Sequence, residues 1–426
     1  MSTQQRATDP AQAVAAAATH DTAQQGFPLR LAAGLAICAF CWIVAYLGAV
    51  GVLLPARVAE IDPANKAAII ALNATISMIV ATMANLVIGA CSDLTRSRWG
   101  RRTPWIWFGA VGSLLSLAAL GQVATTGALI AVWAIYQIFL NAIIAPLLAT
   151  LADRISPRHR GSAASAYALG LGIGVGLGQV IGAQFLGNTS TGLIVLGLLT
   201  ALAGPAAALF FREPSSQALP REKFSARMLR DNFAFASRGA RDYYLALFGK
   251  FLILLAKFSI QGYLLYILTD YMMLAKPDAG RTIALSATII MVAGIGMSFI
   301  AGPVADKLGL LKLPVIISSL MIALGVFMPF LAPTPTMIVL YAVIAGIGFG
   351  AFNAVDQALN IAVLPNPSTA AKDLGILNFA NTGGQIAGPL LAAAAINASG
   401  YPALFALAAA AALLGAVLFA AIRTVR

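Results

Sequence analysis

The sequence predicts an all-α integral membrane protein whose twelve transmembrane helices form two six-helix repeats. Three observations predict it. Of 426 residues, 60% are hydrophobic and only 10% charged, against about 25% charged in soluble domains. Apolar windows recur from Leu31 to the C-terminus, each near the roughly 20 residues that cross a hydrocarbon core of about 30 Å. The positive charges fall in alternate connections, as lipid-spanning chains distribute them. The net charge of +12 is therefore a topology signal, and no nucleic-acid partner is expected from it. His20 and His159 are the only histidines, and Cys38, Cys41 and Cys91 lie in or at the end of apolar spans. Neither pattern makes a metal site, and no cofactor is expected.

In chain order, residues 1–28 are rich in Ala, Gln and Thr and lack the apolar core of a secretory signal; they are expected to form a disordered cytoplasmic tail. Hydropathy then places spans at about 31–54, 68–91, 104–123, 128–150, 162–186, 191–211, 243–271, 283–304, 313–332, 336–363, 374–397 and 400–422. With both termini cytoplasmic, the inner connections hold Arg96, Arg98, Arg101 and Arg102, then Arg154, Arg158 and Arg160. The stretch from Arg212 to Arg241 follows, then Lys307, Lys312 and Lys372. The other side holds only Arg57, Lys66, Lys276 and Arg281. A miscounted span would invert this pattern midway, and it does not invert. The expected units are a helical bundle over 29–212, a cytoplasmic linker over 213–242 and a second bundle over 243–426. Within the linker, REKFSARMLRDNFAF has the composition of an amphipathic helix lying on an anionic leaflet.

The halves repeat. Gly89 and Asp93 close the second span as G-A-C-S-D, and Gly302 and Asp306 close the eighth as G-P-V-A-D. G-Q-V-I-G from Gly178 in the fifth span recurs as G-Q-I-A-G from Gly384 in the eleventh. The second-half turn, G-P-V-A-D-K-L-G-L-L-K from Gly302 to Lys312, resembles the signature of the major facilitator superfamily. The first-half turn is longer, with Gly100 seven residues after Asp93. That form, SDLTRSRWGRRTPW, is similar to the branch of glycoside–pentoside–hexuronide:cation symporters and sucrose transporters, and VDQALNIAVLPNPSTAAKDLGI (355–376) also looks like bacterial members near it.

The resemblance implies alternating access, with Asp93, Arg96, Arg98, Arg101, Arg102, Asp306, Lys307 and Lys312 forming cytoplasmic ion pairs that break during the cycle. A carboxylate near a helix N-terminus gains about 0.3–1 kcal/mol, so Asp93 could cap a helix of the other half. The reading that competes is topological anchoring alone. In the sodium-coupled members of that branch, carboxylates in spans two and four hold the cation. The matching places here are Asn85 and Asn141, with Ala81 at the other position. Sodium requires hard anionic oxygens, so proton coupling or facilitated diffusion is expected instead.

Charges inside spans each cost about 2.5–3.5 kcal/mol at a helix centre. Lys250 and Lys257 in span seven and Asp356 in span ten stand out. Lys250 and Asp356 lie at similar depth, so they are expected to pair, either carrying a proton or holding one state. A purely structural pair, or a snorkelling Lys250, competes equally. Lys257 is deeper, with no carboxylate at matching depth, and is expected to face the cavity as a fixed or titrating positive charge. Trp42, Tyr46, Tyr136, Gln137, Asn141, Gln261, Asn353, Gln357, Asn378, Asn381 and Gln385 supply amides and aromatic faces suited to a sugar. Each taken singly is better explained by helix packing or interfacial anchoring. The glycines at 170, 172, 174, 176, 178 and 182 read as a close-packing surface.

The expected function is secondary transport of a small polar solute, a sugar or glycoside, by proton-coupled symport. An exporter on the same scaffold, or a non-transporting assembly or sensor protein, are the alternatives. No HExxH, phosphate loop or clustered His, Asp and Glu points to an enzyme. The expected setting is a bacterial inner membrane, with the solute, protons and lipid as partners and the protein a monomer.

Overall fold

The computed structural model describes residues 26–217, 240–364 and 370–425. The expected tail up to residue 25 and the expected amphipathic helix in the linker lie outside them. So do the side chains of Asp306 and Asn378. Twelve helices follow in order: α1 Leu29–Ile61, α2 Lys66–Leu94, α3 Thr103–Leu120, α4 Thr126–Arg154, α5 Pro157–Gln184 and α6 Thr189–Phe211, then α7 Arg241–Gln261, α8 Lys276–Leu308, α9 Lys312–Leu331, α10 Pro335–Ala362, α11 Ala370–Ser399 and α12 Tyr401–Ala420. Among the described residues, eleven of these are long and apolar enough to cross a membrane; α11 completes the set. Backbone groups in lipid must be satisfied within the segment, which helices alone achieve in an open chain.

Local signals set the helix ends. Thr125 Oγ1 accepts from Ala128 N at 3.4 Å ahead of α4, and Asn188 Oδ1 accepts from Thr191 N at 3.1 Å ahead of α6. Pro104, Pro157 and Pro335 enter α3, α5 and α10 in the first turn, where a missing N–H costs nothing. Gly100 and Gly309 both adopt positive φ, 87° and 62°. Each lies just beyond the acid that closes α2 or α8, where a side chain would be strained. The longer first-half turn therefore keeps the left-handed glycine of the shorter one.

Most helices run a few residues beyond the hydropathy windows, because polar end residues continue the hydrogen-bonded ladder into the interface. Two differ in kind. The first span continues through a π-helical stretch, Ala49–Leu53, to Ile61. The seventh stops at Gln261 and resumes as Leu264–Tyr266 and a π turn, Ile267–Tyr271. The leading helix of each half thus loosens at the end opposite the arginines, a repeat in conformation as well as in sequence.

The glycines of α5 divide between two partners. A Cβ on Gly170, Gly174, Gly178 or Gly182 would strike Ala36, Ile43, Val44 or Gly48 of α1 at 2.2–2.7 Å. One on Gly176 would strike Met291 of α8 at 2.5 Å. Gly346 and Gly350 of α10 face α8, and Gly348 faces α9. In lipid no hydrophobic force pulls helices together, so this close backbone approach supplies the attraction.

Contacts between the halves gather at the end away from the arginines. Lys66 Nζ lies 2.6 Å from Asp270 Oδ2, and Lys276 Nζ 3.6 Å from Glu60 Oε1. Tyr263 and Tyr266 donate to the carbonyls of Ala67 and Pro55 at 2.7 and 2.8 Å. The arginine-rich ends of α5 and α8 differ. Residues 298–300 of α8 are exposed at three consecutive positions, as are 160–162 of α5. Ion pairs and hydrogen bonds tie the halves at the end away from the arginines, and the α5 and α8 residues named are exposed at the other.

Candidate functional site

Lys250 and Asp356 meet. The register explains it, because α7 and α10 run antiparallel and Lys257 reaches Phe349 by the same seven-residue step that separates Phe349 from Asp356. Lys250 Nζ lies 2.6 Å from Asp356 Oδ2, with residue exposures of 8% and 6%. Asn360, one turn further on α10, donates its amide to the same oxygen at 2.9 Å. Among the described residues, the second carboxylate oxygen, Oδ1, is buried without a hydrogen-bond partner, as is the Asn360 amide oxygen. Asn360 escaped sequence reading, although its position four residues after Asp356 is the helical signal for it.

Lys257 lies two turns outward of Lys250. Its ammonium sits 5.2 Å from the Phe349 ring centroid and 5.5 Å from that of Phe258. Among the described residues it has no ion pair and no hydrogen bond. Asn353 and Gln357 of α10 are exposed, while Gln261 of α7 is half-buried.

In the first half, Asn85 Nδ2 donates to Asn141 Oδ1 at 3.1 Å, and Asn141 Nδ2 donates to the Gln137 carbonyl at 2.8 Å. Asn85 and Asn141 are thus joined by a hydrogen bond between their side-chain amides, linking α2 to α4. Tyr46 stacks on Trp133 with centroids 6.3 Å apart, and Trp133 tilts on Tyr136 at 4.9 Å. Tyr136 is fully buried, and among the described residues its hydroxyl has no hydrogen-bond partner. Trp42 is half-buried against the core. In α11, Gln385 donates to the Asn381 carbonyl one turn back, at 3.4 Å. Among the described residues, no hydrogen bond joins the polar groups of the first half to Lys250, Lys257 or Asp356.

The arginine turn is more internal than expected. Arg102 is 4% exposed and bridges Asp93 Oδ1 at 2.5 Å and Asp153 Oδ2 at 2.6 Å, while donating to Ser92 Oγ at 2.9 Å. Burial works against its charge, but Asp153 and Asp93 outweigh burial and hold the guanidinium above its ordinary value. Arg101 reaches Asp153 at 3.5 Å, and Arg98 lies over Trp99. Asp93 therefore pairs within its own half rather than capping a helix of the other, because Arg102 folds back beneath α2. Glu213, in the expected linker, caps α3: its carboxylate accepts from the backbone N–H of Arg101, Arg102 and Thr103 at 2.9, 2.9 and 3.0 Å. Lys312 also departs from an ion-pair role, since its ammonium donates to the Ile422 carbonyl at the end of α12 at 2.7 Å. Lys307 is exposed. Asp153 was legible as an acid closing α4 among arginines; Glu213 gave no local signal.

The profile of the Major Facilitator Superfamily matches residues 31–299 and 246–426. No curated protein matches the sequence. Three solved structures are similar in fold. A mutant of the nucleoside transporter NupG shares 15% identity at a TM-score of 0.73, over 92% of this chain and 99% of that one. A POT family transporter in complex with 5-aminolevulinic acid shares 13% at 0.69, over 91% and 94%. A bacterial homolog of the human lysosomal transporter Spinster, in an inward-facing and occupied conformation, shares 15% at 0.63, over 91% and 94%. At these identities the likeness is one of fold.

Proposed function

This chain belongs to the Major Facilitator Superfamily, and from that premise we propose that it moves a small polar solute of the sugar or glycoside class by proton-coupled symport with alternating access. The observation that carries the reading is the buried cluster of Lys250, Asp356 and Asn360. A buried ion pair is expensive unless every lone pair is engaged, and here one carboxylate oxygen is not. A proton on Oδ1 removes the negative charge and releases the Lys250 ammonium. The cluster thus couples protonation to the packing of α7 on α10, two helices that line the central cavity in this fold. The exposed amides of Asn353 and Gln357 and the half-buried ring of Tyr46 suit a hydroxyl-rich solute.

The arginine-rich ends are assigned to the cytoplasm by the positive-inside rule. The end where the halves are tied by ion pairs then faces outward, and the exposed ends of α5 and α8 face inward. Asn85 and Asn141, hydrogen-bonded to each other, support protons over sodium.

Uptake into proteoliposomes tests the reading. Lys250→Asp alone and Asp356→Lys alone should abolish proton-driven uptake, and the double exchange should recover a measurable part of it. A double exchange no better than the single variants sinks the coupling role. Wild-type uptake that follows a sodium gradient and ignores a proton gradient sinks proton symport.

A further inference from the structure

The interiors of all twelve spans hold three charges: Lys250, Lys257 and Asp356. Lys250 and Asp356 cancel at 2.6 Å, which leaves one positive charge on Lys257 with no counter-ion among the described residues. Other acids among the described residues are engaged elsewhere. Asp270 holds Lys66 and the Tyr401 hydroxyl, Glu60 holds Arg57 and Lys276, and Asp93 and Asp153 hold Arg102. What Lys257 does meet is two aromatic rings, Phe349 and Phe258, at cation–π distance. That contact tolerates an ammonium without neutralising it. Gln261, one turn outward on α7, and the exposed Asn353, one turn from Phe349 on α10, stand on the neighbouring turns with amide groups.

We propose that the solute carries a single carboxylate, seated on the Lys257 ammonium beside Phe349 and Phe258. Two features fix the class. One uncompensated positive charge matches one negative charge, so a monoanion leaves the cavity neutral, whereas a neutral solute leaves it at plus one and a dianionic phosphate at minus one. The rings bordering the ammonium favour a compact, planar head group over a heavily hydrated one. The proposal rests on the transport reading, since Lys257 serves here as part of the solute site. Within that reading the cargo is an acidic sugar or hydroxy acid in place of a neutral glycoside. Symport of a monoanion with one proton is also electroneutral, which gives a second readout.

The test uses the purified full chain and matched probes: D-glucuronate, D-gluconate and L-lactate against D-glucose, D-sorbitol and D-glucose 6-phosphate. Thermal stability reports binding, and counterflow in proteoliposomes reports transport. At least one carboxylate should raise the melting temperature and exchange, while its neutral counterpart binds at least about thirtyfold more weakly, the factor that losing a buried charge partner carries. Lys257→Gln should lose that preference and Lys257→Arg should keep most of it. Stabilisation by the neutral or phosphorylated probes alone, by none of the carboxylates, or equally in wild type and Lys257→Gln overturns the proposal. Should Lys257→Gln not fold, the wild-type ranking decides. Counterflow of neutral solutes without a carboxylate effect overturns the anion site and keeps the transport reading. Carboxylate binding with no counterflow of any probe overturns the transport reading and keeps the anion site.

Discussion

At the residue scale, Asp356 combines a stabilising contact with an unsatisfied one. Replacing Lys250 with Met leaves a buried carboxylate without its cation, a change that costs about 3–5 kcal/mol, and should lower the melting temperature by several degrees. Adding Asp356→Leu removes the stranded charge and should restore stability while leaving proton-driven uptake abolished. Thermal unfolding and uptake on the wild type, Lys250→Met and the double variant check both halves. A double variant as unstable as Lys250→Met would show that the pair does more than neutralise itself. Glu213 is the other residue whose role comes from geometry: three backbone N–H groups at the start of α3 converge on it. Glu213→Ala should cost about 1–2 kcal/mol, as loss of a charged N-terminal cap does. The intramembrane charges were legible in the sequence because an ionisable residue in an apolar run is rare and costly. Asn360 and Glu213 were not, since a polar residue at a helix end or in a connection has many ordinary uses.

At the element scale, the alternation of glycines in α5 places two different seams on one helix. Gly178 sits where an added Cβ would come within 2.2 Å of the Val44 carbonyl oxygen, whereas at Gly172 the nearest atom, on Ile295, is 3.8 Å away. Gly178→Ala should therefore destabilise the protein measurably and Gly172→Ala should not, as thermal unfolding in detergent would show. Equal effects would mean that the helices simply shift apart. The α1 seam belongs within one half, and the α8 seam joins the halves. Periodicity shows that such a face exists, because four-residue glycine spacing is unmistakable. Which partner covers it is a property of the packed bundle. The breaks at the ends of α1 and α7 were invisible for a similar reason: a π turn keeps the hydropathy of the helix it interrupts.

At the scale of the whole molecule, the ion pairs between Lys66 and Asp270 and between Lys276 and Glu60 tie the halves at the end away from the arginines. Their side chains are partly exposed, so each is worth only about 0–1 kcal/mol. A gate held by weak contacts can open. Asp270→Asn with Glu60→Gln should shift the population away from the state tied at that end. A cysteine introduced at Gln261 in a cysteine-free background should then label faster with a membrane-impermeant maleimide applied from that side; an unchanged rate would mean that helix packing alone holds the gate. Orientation has its own probe. Cys91 is exposed at the arginine-rich end of α2, while Cys38 and Cys41 are buried. The same reagent should label Cys91 only from the cytoplasmic side, and labelling from outside alone would invert the assignment.

The sequence alone determined that this chain is helical, spans a membrane twelve times and repeats itself, because a bilayer imposes length, apolarity and charge placement residue by residue. It also marked Lys250, Lys257 and Asp356, since each breaks that rule. Which of them meet, that Arg102 turns inward to Asp93 and Asp153, that Asn85 and Asn141 bind each other, and at which end ion pairs tie the halves were decided by tertiary structure. Such outcomes depend on helix rotation and register between segments far apart in the chain. Hydropathy is blind to both, and a shift of one residue turns a helix face by about 100°.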